Sequence, residues 1–78
     1  MEFLTTPITD KESLNSFIDN LIANDKLFHF DDDPFEIIGK GSEPVFTVEQ
    51  ASVVNARVAE ICDLNLLEYA FEYALIKL

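Results

Sequence analysis

The lone histidine, His29, sits between Phe28 and Phe30 and just ahead of Asp31, Asp32 and Asp33. A His–Asp pair can serve as a general acid–base couple. Such chemistry needs a further group at a working distance, and no second catalytic residue stands at a telling spacing. The chain has no glycine-rich phosphate loop and no nucleophile elbow. The plainer reading of His29 is a partly packed imidazole with a carboxylate neighbour. Metal chemistry fares no better. One His and one Cys, far apart, match no zinc spacing. An EF-hand loop counted from Asp31 would place Phe35 at the fifth position and Glu36 at the sixth, where a ligand and a glycine are required. No enzymatic activity, cofactor or metal is therefore expected.

What remains is charge. Fifteen acids against five bases give a formal charge of −10. Ten of the acids and three of the bases fall in residues 1–43, so the acidity is concentrated in the first half. Such a balance repels nucleic acid and anionic lipid, and it favours a basic protein as partner. A charge that serves solubility alone is the competing reading. Asp19, Asp25, Asp31, Asp32, Asp33 and Glu36 are the candidate partner contacts, with Phe28, Phe30 and Phe35 interleaved among the last of them. An acidic rim around an apolar anchor suits a binder of a basic cleft. The same aspartate run also reads as a solvated turn capping a helix.

Seventy-eight residues with 49% hydrophobic content suffice for one small core, so a single acidic helical domain over residues 1–78 is expected. The single Cys62 excludes an internal disulfide and fits a reducing cytoplasm. Met1 to Asp10 lack the basic segment and apolar run of a signal peptide, and no apolar stretch nears the roughly 20 residues of a membrane span.

The elements follow from capping signals and apolar spacing. Thr9 with Glu12 reads as a capping box that opens a helix fading near Asn24, with Leu14, Phe17, Ile18, Leu21 and Ile22 as its buried stripe. Asp33, Pro34 and Glu36 read as the start of a short helix ending at Gly39. The rival reading is a hairpin pairing Phe35–Ile38 with Val45–Val48. Thr47 with Gln50 makes a second capping box, opening a helix through Cys62 that buries Ala51, Val54, Val58, Ile61 and Cys62. Glu49, Val53 and Glu60 face away from that stripe. Asp63 can cap a last helix from Leu64 to Lys77. The expected fold is thus all-α, a three- to four-helix bundle with the hairpin around residues 35–48 as a variant.

The last helix has two apolar faces. One carries Leu64, Leu67, Phe71, Ala74, Leu75 and Leu78; the other carries Leu66, Tyr69, Tyr73 and Ile76. A helix apolar nearly all round is either central or shared with a partner. So few neighbours favour sharing, and Leu66, Tyr69, Tyr73 and Ile76 are the candidate second interface, for a homodimer or another protein.

Three families bear comparison. Size, acidity and helical content resemble those of acyl carrier proteins, but the nearest match to their Asp-Ser-Leu motif is Glu12-Ser13-Leu14, in the first helix and not the second. Architecture and charge resemble those of colicin-nuclease immunity proteins, whose paired-tyrosine motif on a short helix has no counterpart. The stretch Leu27 to Ile38, with Phe46 to Ala51 and Asn55 to Glu60, resembles short acidic open reading frames of phages and mobile elements. That resemblance implies an anti-CRISPR-like inhibitor that blocks a nucleic-acid-binding complex in the host cytoplasm. A dimeric module such as an acidic antitoxin is the alternative.

Overall fold

The computed structural model describes residues 2–26, 28–30, 33–36, 39–40, 43–44 and 46–77, with backbone only for the short strands among them. A 3-10 turn, Glu2–Thr5, leads through an extended strap into α1, Lys11–Ala23. Four short strands follow: β1 Phe28–Phe30, β2 Asp33–Glu36, β3 Gly39–Lys40 and β4 Glu43–Pro44. Two helices complete the chain, α2 Val48–Asp63 and α3 Leu67–Lys77. The fold is a small all-α bundle of three helices, with two short antiparallel ladders in the α1–α2 connection.

Helix α1 begins one residue later than the Thr9–Glu12 pattern implies. Asp10 is the N-cap: its Oδ1 accepts from the Ser13 amide at 2.9 Å, and the Ser13 hydroxyl oxygen accepts from the Asp10 amide at 3.1 Å. A carboxylate is a stronger acceptor than a hydroxyl, and serine closes the box that glutamate was expected to close. The α2 box is the expected one, Thr47 with Gln50.

Helices α1 and α2 end alike. The Lys26 amide donates to the Leu21 carbonyl at 2.8 Å and Asp25 to Ile22 at 3.1 Å; Leu66 donates to Ile61 and Asn65 to Cys62, each at 3.0 Å. These are Schellman caps, and the pivotal residues Asp25 and Asn65 take positive φ of 56° and 57°. A residue with a Cβ is disfavoured there. Asp25→Gly should therefore raise stability by about 0.5–1 kcal/mol. A urea midpoint that falls instead would show that the aspartate side chain outweighs its backbone strain.

The segment after α1 departs from the short helix expected over 34–39. Asp33–Glu36 is a strand: Phe28 pairs with Glu36 and Phe30 with Asp33, leaving one extra residue on β2. Local capping signals at Asp33, Pro34 and Glu36 lose here to cross-strand pairing with β1. The rival pairing of Phe35–Ile38 with Val45–Val48 is not what the described residues show: Phe35 and Glu36 belong to the strand paired with β1 and Val48 to α2, while a two-pair ladder, Gly39 with Pro44 and Lys40 with Glu43, lies between them. Residues 37, 38 and 45 lie outside the described residues. Residues 64–66 form the α2–α3 corner, so the last helix starts at Leu67 and not at Leu64, and Asp63 closes α2 instead of capping α3.

The core draws on every helical element and on the strap. Leu4 and Ile8 join Leu14, Phe17, Ile18 and Leu21 of α1, Phe46 just ahead of the α2 cap, Val54 and Ile61 of α2, and Ala70 and Ala74 of α3. The 3-10 turn packs against both α1 and α2. That contact explains two departures along α2. Val53 and Glu60, expected to face solvent, are half-buried beneath the strap, while Cys62, expected in the core, is exposed. Asn55 is likewise exposed.

Candidate functional site

Most acids whose side chains are described stand in solvent: Glu2, Asp10, Glu12, Asp19, Asp25, Glu49, Asp63, Glu68 and Glu72 are exposed. The four bases whose side chains are described all have partners. Arg57 pairs with Glu60, Nε to Oε1 at 2.8 Å, and the Nζ atoms of Lys11, Lys26 and Lys77 lie over the rings of Tyr69, Phe46 and Tyr73 at 4.8, 5.7 and 5.5 Å from the centroids. With fifteen acids against five bases, the field at the surface is set by carboxylates.

Of the six acids expected at a partner interface, Asp19 lies on α1 and Asp25 at its C-terminal cap, both exposed. Asp33 and Glu36 stand at the two ends of β2. Asp31 and Asp32 lie outside the described residues. His29 is the middle residue of β1.

The candidate interface on α3 meets α1. The Tyr69 hydroxyl donates to Asn15 Oδ1 and the Tyr73 hydroxyl to Asp19 Oδ1, each at 2.9 Å. Four residues separate the partners on both helices, so α1 and α3 run in the same direction and meet at one-turn intervals. The two rings stack at 6.2 Å and 24°. The two proposed contact sets therefore touch at Asp19 and Tyr73. Leu66, Tyr69 and Tyr73 are half-buried and packed on the core, whereas Ile76 is 81% exposed. Small side chains, Ala70 and Ala74, are what α3 buries most fully. Leu67 and Leu75 remain exposed on its outer face, and Leu64 stands exposed at the corner before it.

Desolvation, with the Asp19 carboxylate as hydrogen-bond partner, pushes the Tyr73 hydroxyl above its ordinary value of 10.0. A folded-state pKa above the unfolded one contributes stability that is present below about pH 10 and lost as pH rises through the raised value. In an ultraviolet titration Tyr73 should ionise after the free phenol range, and Tyr73→Phe should abolish the late phase. At the other end of the scale, the hydrogen bonds from Ser13 hold the Asp10 carboxyl below 3.8. Its contribution is present above that pH and lost on acidification through the lowered value.

One concavity in the described structure escaped sequence reasoning. The strap and the solvent side of α1 enclose an open groove of about 370 Å³. Phe3 and Phe17, with ring centroids 6.1 Å apart and planes at 59°, supply its aromatic wall. Thr6, Thr9, Ser13 and Ser16 line it, as do Asp10, Glu12 and Asn20. The only cue in the sequence was the Phe3-to-Phe17 separation, which means nothing until the strap folds back on α1.

Among the described residues no group of three or more His, Cys, Asp or Glu side chains is placed to hold a metal ion. No described helix is long and apolar enough to cross a membrane. No protein family, curated protein or solved structure matches this chain.

Proposed function

We propose that this protein is a non-enzymatic inhibitor, of the anti-CRISPR-like kind carried by phages and mobile elements. It would occupy a basic, nucleic-acid-binding surface of a host defence protein, in the host cytoplasm, with carboxylates taking the place of phosphates. The observation that carries this reading is the imbalance of its surface: acids stand exposed on α1, α2 and α3, and among the described bases Arg57 is already paired with Glu60. The resemblance of Leu27 to Ile38 to short phage reading frames directs it to host defence. Asp19, Asp25, Asp31, Asp32, Asp33 and Glu36 are the proposed contacts.

Electrostatic recognition of this kind weakens steeply with salt. Tagged protein incubated with host lysate at about 50 mM salt should retain a basic nucleic-acid-binding complex, displace its nucleic acid, and release it near about 500 mM. Replacing Asp31, Asp32 and Asp33 with Asn should lower the affinity and flatten its salt dependence. A captured partner that keeps its nucleic acid, or recovery of no basic protein at low salt, would sink the proposal.

A second reading, a dimeric regulatory module such as an antitoxin, is favoured by the exposed apolar residues Leu67, Leu75 and Ile76 on α3. Light scattering at the same two salt concentrations separates the two. A dimer at both would favour the module, and Ile76→Lys should then yield a monomer.

A further inference from the structure

We infer that the groove between the strap and α1 is a receptor for a single arginine side chain of a protein partner. This inference rests on the proposed binding of a basic surface and names the chemistry of one contact within it.

Three features of the groove select the occupant. The first is charge. Helix N-termini ordinarily attract anions, but here Asp10 already accepts from the Ser13 amide at 2.9 Å and Glu12 adds a second carboxylate at the mouth. Among the described lining residues there is no base, so the groove repels phosphate and carboxylate and attracts a cation. Both carboxylates are charged at neutral pH, as exposed carboxyls are.

The second feature is the aromatic wall. Phe3 is half-buried and Phe17 buried behind it. A guanidinium is planar and weakly hydrated, and it stacks on such a face while its edge donates to carboxylates and hydroxyls; an ammonium is more strongly hydrated and binds as a point charge. The third is size. At about 370 Å³ the groove lies at the small end of ligand sites, which suits one extended side chain and not a folded peptide segment. Thr6 and Ser16, both among the lining residues, carry hydroxyls able to accept from a guanidinium.

The test is an amide-resolved NMR titration of the full chain at about 50 mM salt. The probe is the capped tripeptide acetyl-Gly-Arg-Gly-amide, with its lysine counterpart as control. The arginine peptide should shift the amides of Thr6, Thr9, Ser13 and Ser16 saturably, and the lysine peptide should bind several-fold more weakly. Glu12→Gln should weaken the arginine peptide by about tenfold, the worth of one charge-assisted contact. Ser16→Lys, an exposed position on α1 that would place a cation in the groove, should abolish binding while leaving the spectrum folded. Glu68→Gln on α3 should change nothing.

Equal shifts by both peptides, spread over Glu49, Asp63, Glu68 and Glu72, would overturn the groove and leave the acidic-binder reading standing. No shift from either peptide, with a basic complex still captured from lysate, would likewise remove the groove alone. Failure of capture as well would remove both.

Discussion

Leu14→Ala is expected to cost about 2–5 kcal/mol and to lower the urea unfolding midpoint steeply. Leu14 has no exposed surface and sits where the strap, α1 and the other helices share one cluster. Removing most of its side chain forfeits the transfer free energy and opens a cavity that rigid neighbours cannot fill. A chain of 78 residues has roughly 4–12 kcal/mol of stability in all, and ten excess negative charges reduce it. The loss is thus a large part of the total. Urea unfolding followed by circular dichroism measures it, and high salt should recover some stability by screening the carboxylates. A loss below about 1 kcal/mol would mean that the strap and α1 do not form a common core.

The contrast between Leu14 and Cys62 shows which parts of this fold are legible in the sequence. The α1 stripe of Leu14, Phe17, Ile18 and Leu21 is correct because one helix with one buried face obeys a single period. The Thr47–Gln50 box is formed as expected, whereas Thr9–Glu12, at the same spacing, loses to Asp10–Ser13 one residue later; spacing alone does not choose between overlapping boxes. Helix α2 is buried on two sides, by the bundle and by the strap, and a single period cannot represent that. Glu60 therefore reads as solvent-facing in the sequence although it is half-buried, and Cys62 takes the exposed position.

Residues 33–36 fail for the opposite reason. Their cap signals are strong and local, and the competing β1 pairing is contributed by residues that carry no turn signature of their own. As for the candidate site, charge sign and excess were legible from composition alone. Two of its features were not: the Asp19–Tyr73 contact joining the two proposed surfaces, and the groove. Both depend on segments separated by the length of the chain or by a fold-back.

Arg57→Ala should be the most damaging change outside the hydrophobic core, at about 1–3 kcal/mol. Arg57 is a hub that ties α2 to the strap. Its Nη1–H donates to the Leu4 carbonyl at 3.0 Å and its Nη2–H to Glu60 Oε2 at 2.9 Å, while Glu60 Oε1 accepts from the Ile8 amide at 2.8 Å. Breaking a fully buried pair costs about 3–5 kcal/mol and an exposed one about 0–1. The side chains here are 11% and 29% exposed, so the expectation falls between. The loss leaves a Leu4 carbonyl without its donor and a half-buried carboxylate without its cation.

Arg57→Lys should recover only part, because one ammonium lacks the fork that reaches both acceptors. Glu60→Gln keeps an acceptor for Ile8 and should be milder than Arg57→Ala. Hydrogen exchange gives the local readout: the Ile8 amide should lose protection in Arg57→Ala and Glu60→Ala, while amides in the middle of α1 keep theirs. Because both residues serve one junction, the double variant should cost less than the sum of the singles. Strict additivity would show that Arg57 and Glu60 hold the strap independently. Phe3, which walls the groove, adjoins Leu4, whose carbonyl Arg57 holds, so Arg57→Ala should also weaken the arginine peptide at the groove.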